Sequence, residues 1–578
     1  MDVSELVALV YRADWKQLSL SATVSWTLDP AVQQRLLDRK AAELSRGLGP
    51  LQGAWRMPAT DFDRYGPVRS ESSLLIAPGG RYRIQDSDGS VNICDGEHSW
   101  HVGRGVAKLE RRPRPARFFR GLLMPQWLIA CYELEVTGAD LVAGRAAIAV
   151  TGAPRAASTR RRGLLHFLDG VEVLVDAELG ILLRSRQIFE GQTRESAQLQ
   201  DVVINPPEAG EPGMFAPPAG VPVEEGQDPF ADFKPPSGVG WQVAGAAAGA
   251  VATALGFAVR HAPRPKTVWP TDDEEPQMPA DSVLASRDWE RGQPVDDRAV
   301  NLLHGTGLSP PALTAVVHEW TDVLPWLQNF KELQETLPPP IEGIFGPDSV
   351  WDALYERIAE DGGGHRVARI AVRFPGRYRI DYLSGDWNKP YKAIACDGEQ
   401  TTKLFDNRVA TGPAKPLEAS VASMLDPAWL LNGWRLAVFG SASVGGRDGT
   451  RIRAVAAGTA DNGADNLFTR AEVVVDAELG VLLRNTTYVN DQPATRIELR
   501  DLRPAGETSS FRITPQPGMR SVADSGGPFG DRDVPRPAEA AATAATLVAA
   551  GAVAVAGWLE KHRSRGTSRV AGRDGRET

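Results

Sequence analysis

Two histidines beside an aspartate are the residues of this chain with the clearest metal-binding chemistry. His98 and His101 lie three positions apart and close to Asp95, which provides the nitrogen and oxygen donors that zinc accepts. The chain contains a second copy of the same segment, described below, with Gln400 and Lys403 at the two histidine positions. Because the second copy lacks these donors, we interpret the histidines as exposed strand residues and predict no metal and no cofactor.

Nucleophilic and phosphate-binding motifs are missing from the sequence. The three cysteines, Cys94, Cys131 and Cys396, lie in apolar strand contexts with no base nearby in sequence, and their spacing fits neither zinc nor a disulfide framework. The glycine runs at 362–364 and 445–446 lack the lysine and hydroxyl residues of a phosphate loop, and no Gly-x-Ser-x-Gly motif occurs. We therefore predict that the protein is not an enzyme and that Cys94 and Cys396 are small core residues.

Arginines form two clusters in the first copy. The clusters are Arg111, Arg112, Arg114, Arg117 and Arg120, and then Arg155, Arg160, Arg161 and Arg162. Prolines among the arginines indicate loops, where binding residues often lie. The matching segments of the second copy, 407–420 and 458–470, are nearly neutral or acidic. The clusters are either solvated loops or a contact surface for anionic lipid or an acidic partner.

The elements that must position these residues occur twice, at a period close to 300 residues. Gly80-Arg-Tyr-Arg-Ile recurs from Gly376, and Val175-Asp-Ala-Glu-Leu-Gly recurs from Val475, with the order of motifs unbroken. We predict copy one at 1–235, an Ala/Gly-rich apolar helix at 236–261, a linker at 262–289, copy two at 290–535, an Ala-rich apolar helix at 536–560 and a basic disordered tail at 561–578.

Within each copy the pattern is that of short strands joined by tight turns. Asp88-Gly89 and Asp95-Gly96 suit hairpin turns, and the residues between them alternate in polarity. Helical periodicity occurs at 4–12, 31–46 and 296–304. The sequence therefore predicts a mainly β (α+β) protein.

Three motifs resemble those of the LolA/LolB-like lipoprotein-carrier family, whose fold is shared by RseB-like sigma-factor regulators. Pro78-Gly-Gly-Arg-Tyr82 leads into Asp95-Gly-Glu-His-Ser-Trp100, and Phe215-Ala-Pro-Pro-Ala-Gly-Val-Pro-Val223 ends copy one. In copy two, Thr402 replaces the tryptophan and the segment from Phe511 departs from the pattern. The resemblance implies two tandem curved antiparallel half-barrel sheets with covering helices, each copy followed by an Ala-rich apolar helix.

The same resemblance implies a hollow that binds acyl chains or an apolar peptide segment. Candidate ligand-binding residues are Tyr82, Trp100, Trp127, Tyr378 and Trp429, for which core packing is the alternative. The first hypothesis is a non-catalytic binding protein that holds a hydrophobic, lipid-like ligand. The alternative is a regulatory protein–protein interaction module whose cavities are filled by its own helices.

Charge and hydropathy restrict the partners and the location. The net charge of −9 gives no general reason to expect nucleic acid. The N-terminus lacks the pattern of a secretory signal, which predicts a cytoplasmic protein. Residues 240–259 and 540–559 contain no ionisable side chain and are long enough to cross a bilayer, so membrane association is the alternative. If both segments crossed the membrane, at most one of them could obey the positive-inside preference. This favours burial or self-packing of the two helices.

Overall fold

A computed structural model describes residues 1–48, 68–103, 105–110, 121–155, 168–211, 213–225, 293–305, 312–322, 325, 364–373, 376–383, 390–405, 408–415, 417–456, 470–489, 492–505, 511–515 and 517–523. The predicted apolar helices, linker and tail lie outside these ranges, as do the arginines at 111–120 and 160–162. Within the described ranges, no helix has the length and hydropathy needed to cross a membrane.

Copy one forms a single twelve-stranded sheet. Its strands are β1 (Leu20–Leu28), β2 (Val68–Ala77), β3 (Arg81–Asp86), β4 (Val91–Cys94), β5 (Ser99–Gly103), β6 (Val106–Glu110), β7 (Tyr132–Val142), β8 (Arg145–Pro154), β9 (Gly170–Asp176), β10 (Leu182–Phe189), β11 (Gln192–Ile204) and β12 (Val223–Glu225). Across the sheet their order is β12-β6-β5-β4-β3-β2-β1-β11-β10-β9-β8-β7.

Copy two forms a thirteen-stranded sheet. Its strands are β13 (Gln293–Pro294), β14 (Leu313–Thr321), β15 (Gly364–Arg373), β16 (Arg377–Leu383), β17 (Pro390–Asp397), β18 (Gln400–Phe405), β19 (Arg408–Pro413), β20 (Trp434–Val444), β21 (Arg447–Ala456), β22 (Arg470–Asp476), β23 (Leu482–Val489), β24 (Gln492–Pro504) and β25 (Arg520–Ala523). Their order is β13-β20-β21-β22-β23-β24-β14-β15-β16-β17-β18-β19-β25. Apart from the added edge strand β13, this is the order of copy one, so the sequence repeat is a repeat of the fold.

Within the described ranges the helices are few and mostly short. They are α1 (Val3–Arg12), α2 (Pro30–Leu48), α3 (Gln126–Cys131), α4 (Asp297–His304) and α5 (Ala419–Leu425), with 3₁₀ turns at Trp15–Gln17, Pro207–Gly210 and Pro427–Leu431. The helices predicted from periodicity are confirmed as α1, α2 and α4. The six-residue α3 and the seven-residue α5 are too short to show a helical period and were not predicted.

Both sheets are curved and neither closes on itself, which confirms the predicted fold class. The prediction of wholly antiparallel sheets is wrong at one edge of each. There β12 runs parallel to β6, and β25 runs parallel to β19. After β11 the chain crosses the sheet to its far edge and joins β6 in the same direction, which a hairpin connection would not allow.

Strand alternation separates two faces on each sheet. We call the face that packs against α1, α3 and α4 the inner face, and the opposite one the outer face. In β3, Tyr82 and Ile84 lie on the inner face and are buried in the core, whereas Arg81 and Arg83 lie on the outer face. The positive φ of Gly89, 84°, closes the predicted hairpin between β3 and β4.

One apolar core extends through both copies. Its helical part contains Leu6, Val7 and Val10 from α1, Leu128 and Ile129 from α3, Val300 and Leu303 from α4, and Leu430 and Leu431 from the 3₁₀ turn. These residues lie between the inner faces of the two sheets and belong to the same cluster of buried side chains. The two copies are therefore packed together through a layer of helices.

The same charged turn occurs in each sheet, between β9 and β10 in copy one and between β22 and β23 in copy two. The carboxylate of Asp176 accepts hydrogen bonds from Arg145 and from the backbone N–H of Leu179, at 2.9 Å, and Glu178, at 3.0 Å. Burial by itself raises the pKa of Asp176, but these hydrogen bonds outweigh it, so the pKa lies below the ordinary value. Asp476 has the same contacts with Arg447, Glu478 and Leu479, and its pKa is lowered for the same reasons.

We predict that Asp176→Asn lowers the free energy of unfolding by about 3 kcal/mol at neutral pH, because it leaves the Arg145 guanidinium without its buried carboxylate. The folded-state pKa of Asp176 lies below its unfolded value, so the stabilisation is complete above the ordinary pKa of 3.8. It is lost as the pH falls through the folded value. Urea unfolding across this pH range should show a smaller acid-dependent loss for the variant than for the wild type.

Glu178→Gln is the matched control, because Glu178 contacts the same arginine but is 80% exposed. We expect it to change the free energy of unfolding by less than about 0.5 kcal/mol. Equal effects of the two substitutions would contradict the assignment of the turn's stability to Asp176.

Candidate functional site

Side chains of the protein itself occupy the inner face of copy one. Tyr82 is only 3% exposed, and its ring meets Trp15 edge to face with the ring centroids 6.1 Å apart. Ile84 is fully buried, as is Leu6 of α1. The resemblance implied an apolar hollow without assigning it to a face, and on this face the structure places α1 and the turn after it.

The inner face of copy two is covered in a similar way. Tyr378 is 4% exposed, and its hydroxyl donates a hydrogen bond to the backbone oxygen of Lys415, 3.1 Å away. Lys415 belongs to the segment that leads into α5. Tyr378 thus occupies the same position on its sheet as Tyr82, but a backbone carbonyl takes the place of the tryptophan.

The two predicted tryptophans repeat each other's surroundings. The Trp127 ring packs edge to face on Tyr132 with centroids 5.8 Å apart, and its indole N–H donates to the oxygen of Gly121 at 3.1 Å. Trp429 packs on Trp434 at the same distance and donates to the oxygen of Ser423 at 3.2 Å. Both indoles are partly buried against the shared core. Their geometry is that of core packing, and their role in ligand binding stays a prediction.

Trp100 lies on the other side of its sheet from Tyr82. It pairs directly with Ile93, whose neighbour Cys94 pairs with Tyr82, so alternation places Trp100 on the outer face. There it packs in a separate apolar cluster with Phe215, from the segment that ends copy one. The five predicted ligand-binding residues therefore do not form one site. Strand alternation, counted across the hairpins in the sequence, distinguishes the face of Trp100 from the face of Tyr82.

The two histidines have different side-chain partners. The His98 Nδ1 lies 3.5 Å from the Asp95 carboxylate, whereas the His101 Nδ1 lies 2.9 Å from the Asn92 side-chain oxygen. No group of three potential metal ligands occurs in the part of the chain that the structure describes. His98 is exposed as interpreted, but His101 is half-buried.

Arg155 corrects the interpretation of the second arginine cluster as a surface loop. Its side chain is buried at the joint between the copies, where it donates to the backbone oxygen of Tyr132 at 3.1 Å. It also donates to the backbone oxygen of His304 at 2.8 Å and to the Asp426 carboxylate at 3.2 Å, both in copy two. Arg155 directly follows β8, and its guanidinium lies in the joint instead of in a loop.

Burial at the joint lowers the pKa of a neighbouring histidine. His304, the last residue of α4, is 4% exposed. Burial, together with the positive charge of Arg155, lowers the pKa of His304 to about 2. His304 is therefore neutral at neutral pH, and Arg155 is the cation that pairs with Asp426.

Copy two has a charged cluster around Arg366 on its inner face, where copy one instead has Trp26 beside a buried Arg194–Glu195 ion pair. Arg366 forms ion pairs with Glu319 and, at 3.2 Å, with Glu418, and its guanidinium lies 5.1 Å from the centroid of the Tyr382 ring. The Tyr382 hydroxyl donates to Glu418 at 2.6 Å. Burial by itself lowers the pKa of Arg366, but the two carboxylates outweigh it and the pKa is raised.

This cluster corrects the expectation that both inner faces are apolar. The strand pairings place Trp26 and Ser70 of copy one at the positions of Glu319 and Arg366. Counting back in twos from Tyr378 and its partner Val372 places Arg366 on the inner face, so the signal was present in the sequence. Within the cluster, Arg366 holds the carboxylates of Glu319 and Glu418 together.

We predict that Arg155→Met lowers the free energy of unfolding by about 3 to 5 kcal/mol, because it leaves the Asp426 carboxylate and two buried carbonyl groups without their donor. Hydrogen exchange should rise in α1 and α4, the helices that meet at the joint. Urea unfolding and exchange mass spectrometry measure the two effects.

Arg12→Met is the matched control, because Arg12 and Asp297 join the same two copies at the same distance, 3.2 Å, but are 62% and 56% exposed. We expect it to change the free energy of unfolding by less than about 0.5 kcal/mol. A control variant as unstable as Arg155→Met would show that burial at the joint is not what gives Arg155 its effect.

No protein-family model matches the sequence, and no curated protein matches it. Among solved structures, a chain of the Pseudomonas aeruginosa MucA/MucB complex shares 18% identity, with a TM-score of 0.20 over 37% of this chain and 61% of that chain. The match thus spans about three fifths of that chain's length.

Two smaller proteins are matched over nearly their whole length. LprF from Mycobacterium bovis shares 12% identity, with a TM-score of 0.21 over 38% of this chain and 99% of that chain. The LolA superfamily protein NE2245 from Nitrosomonas europaea shares 8% identity, with a TM-score of 0.18 over 38% of this chain and 98% of that chain. The matches include the fold family that the sequence motifs resemble, and at these TM-scores they carry no argument about function.

Proposed function

We propose that the protein is a non-catalytic, regulatory binding protein in a closed state, and that it acts by exchanging α1 for an apolar helix of a protein partner. The observation that carries this proposal is the complete burial of Leu6, Val7 and Val10 of α1 in the core beside the inner face of copy one. A groove that holds an amphipathic helix is shaped to recognise apolar side chains at helical spacing.

The way in which α1 is held makes it replaceable. It has ten residues, and an isolated helix of that length is marginal in water, so it depends on its docking. At its start, Asp2 and Glu5 form a capping box. At its end, the side-chain amide of Gln126 donates to the backbone oxygen of Ala13 at 2.6 Å. The apolar contacts of α1, the Gln126 amide and the exposed Arg12–Asp297 ion pair therefore compete with any incoming helix.

A hydrophobic, lipid-like ligand is the second candidate, favoured by the apolar lining of the inner face in copy one. Ile84, Leu74 and Leu199 are buried there, and the Arg194–Glu195 ion pair lies beside Trp26. In copy two the Arg366 cluster lies on the inner face, and an acyl chain would have to desolvate its charges. Such a ligand would therefore bind in copy one and would displace α1.

Cysteine chemistry does not support catalysis. Burial raises the pKa of Cys94, which keeps the thiol protonated and a poor nucleophile at neutral pH. All three cysteines are buried.

The exchange can be tested with a labelled synthetic peptide of residues 1–13. In the full chain carrying Leu6→Asp and Val10→Asp, we expect the unmodified peptide to bind in trans with micromolar to millimolar affinity. Burying its three apolar side chains contributes about 2 kcal/mol each. The wild-type chain should bind it much more weakly, because its own α1 competes. Fluorescence anisotropy measures both.

The control peptide carries the same two aspartates and should not bind the variant chain. If the variant keeps its strand circular dichroism but binds neither peptide, the groove is not exchangeable and the proposal fails. Mass spectrometry of the purified wild-type protein separates the second candidate, since acyl lipid at one molecule per chain would favour the lipid-like ligand.

A further inference from the structure

A surface pocket of about 350 Å³ lies on the outer face of copy two, opposite the shared core. Three arginines line it, each from a different strand: Arg503 of β24, Arg369 of β15 and Arg379 of β16. Thr314 and Val316 of β14 lie between Arg503 and Arg369. We propose that this pocket binds a phosphate monoester, either a free small molecule or a lipid headgroup.

The strand register brings the arginines to one place. Arg503 pairs with Thr314, and Val316, two residues further along β14, pairs with Arg369, so the two arginines flank the same strand. Strands two apart in a sheet are separated by roughly 10 Å, which two arginine side chains can span from both sides to reach one anion. Guanidinium groups bind phosphate oxygens bidentately, and the Thr314 hydroxyl is a further donor.

Charge in and beside the pocket favours an anion. Arg379 is held by both oxygens of Asp381, at 3.0 Å, which orients it and neutralises it. Asp501 also lines the pocket. Arg503 is exposed and forms no hydrogen bond or ion pair with the residues that the structure describes. It is therefore available to a ligand.

Beside the pocket, three arginines share a single carboxylate. Arg484, Arg496 and Arg500 all donate to Glu498, with Arg500 directly opposite Val316. Arg484 and Arg500 both rely on this one carboxylate among the residues that the structure describes, so this part of the outer face keeps a positive potential that would concentrate anions near the pocket.

The corresponding place in copy one keeps Arg83 at the position of Arg379 but lacks the other two arginines. The strand pairings put Val203 at the position of Arg503, Ser73 at that of Arg369 and Gln200 at that of Arg500. Moreover, Leu75 packs there beneath the segment that contains Ala209 and Phe215. The copies share their core, so these two arginines of copy two are a difference of surface and not a requirement of the fold.

The site is tested by calorimetric titration of the full chain with glycerol 3-phosphate at fixed ionic strength. Sedimentation with phosphatidylcholine vesicles, with and without phosphatidic acid, forms the second arm. We expect saturable binding that Arg503→Gln or Arg369→Gln weakens at least tenfold. The control variant is Arg186→Gln, which removes an exposed arginine of copy one and should weaken binding less than twofold.

The two arms distinguish the sources of the phosphate. Saturable binding of glycerol 3-phosphate assigns a soluble ligand, and binding only to vesicles with phosphatidic acid assigns a lipid headgroup. The proposal is overturned if neither probe binds saturably, or if Arg186→Gln weakens binding as much as Arg503→Gln does, because the attraction would then be that of net charge alone.

Discussion

Burial of two apolar sheet faces is the constraint on which the rest of the structure depends. Each curved sheet presents side chains such as Ile84 and Ile380 on its inner face, and these are stable only out of water. The copies satisfy this requirement together, with α1, α3 and α4 between them. Packing strand and helix ends into such a layer removes backbone carbonyls from water, and each then needs a donor. Arg155 supplies donors to two of them, which explains why a charged residue lies in an otherwise apolar joint.

The duplication shows which features the fold needs and which it tolerates. The Asp176 turn and the Trp127 packing recur in copy two with nearly identical geometry, so they belong to the fold itself. The inner face at Trp26 becomes a charged cluster in copy two, and the outer face at Val203 becomes a row of arginines. Function therefore has to be sought where the copies differ and in what covers the inner faces.

The sequence predicted what alternation and turn residues determine: the repeat, the hairpins and the helices α1, α2 and α4. It did not predict contacts between the copies, because nothing local marks Arg155 as different from the arginines that follow it. Strand alternation in the sequence was enough to predict the face on which Trp100 and Arg366 lie. The sequence did not predict that α1 occupies the inner face. The resemblance implies a sheet with a helical lid, but it does not say how deeply the lid packs against the sheet.

A joint made of helices from both halves ties their folding together. Because α1 and α4 meet each other as well as their own sheets, neither half reaches its full burial until the other is in place. A fragment that ends in the segment between the copies would leave Leu303 or Leu128 without part of its cover and would tend to self-associate. Each half therefore depends on the other for the full burial of this helical layer.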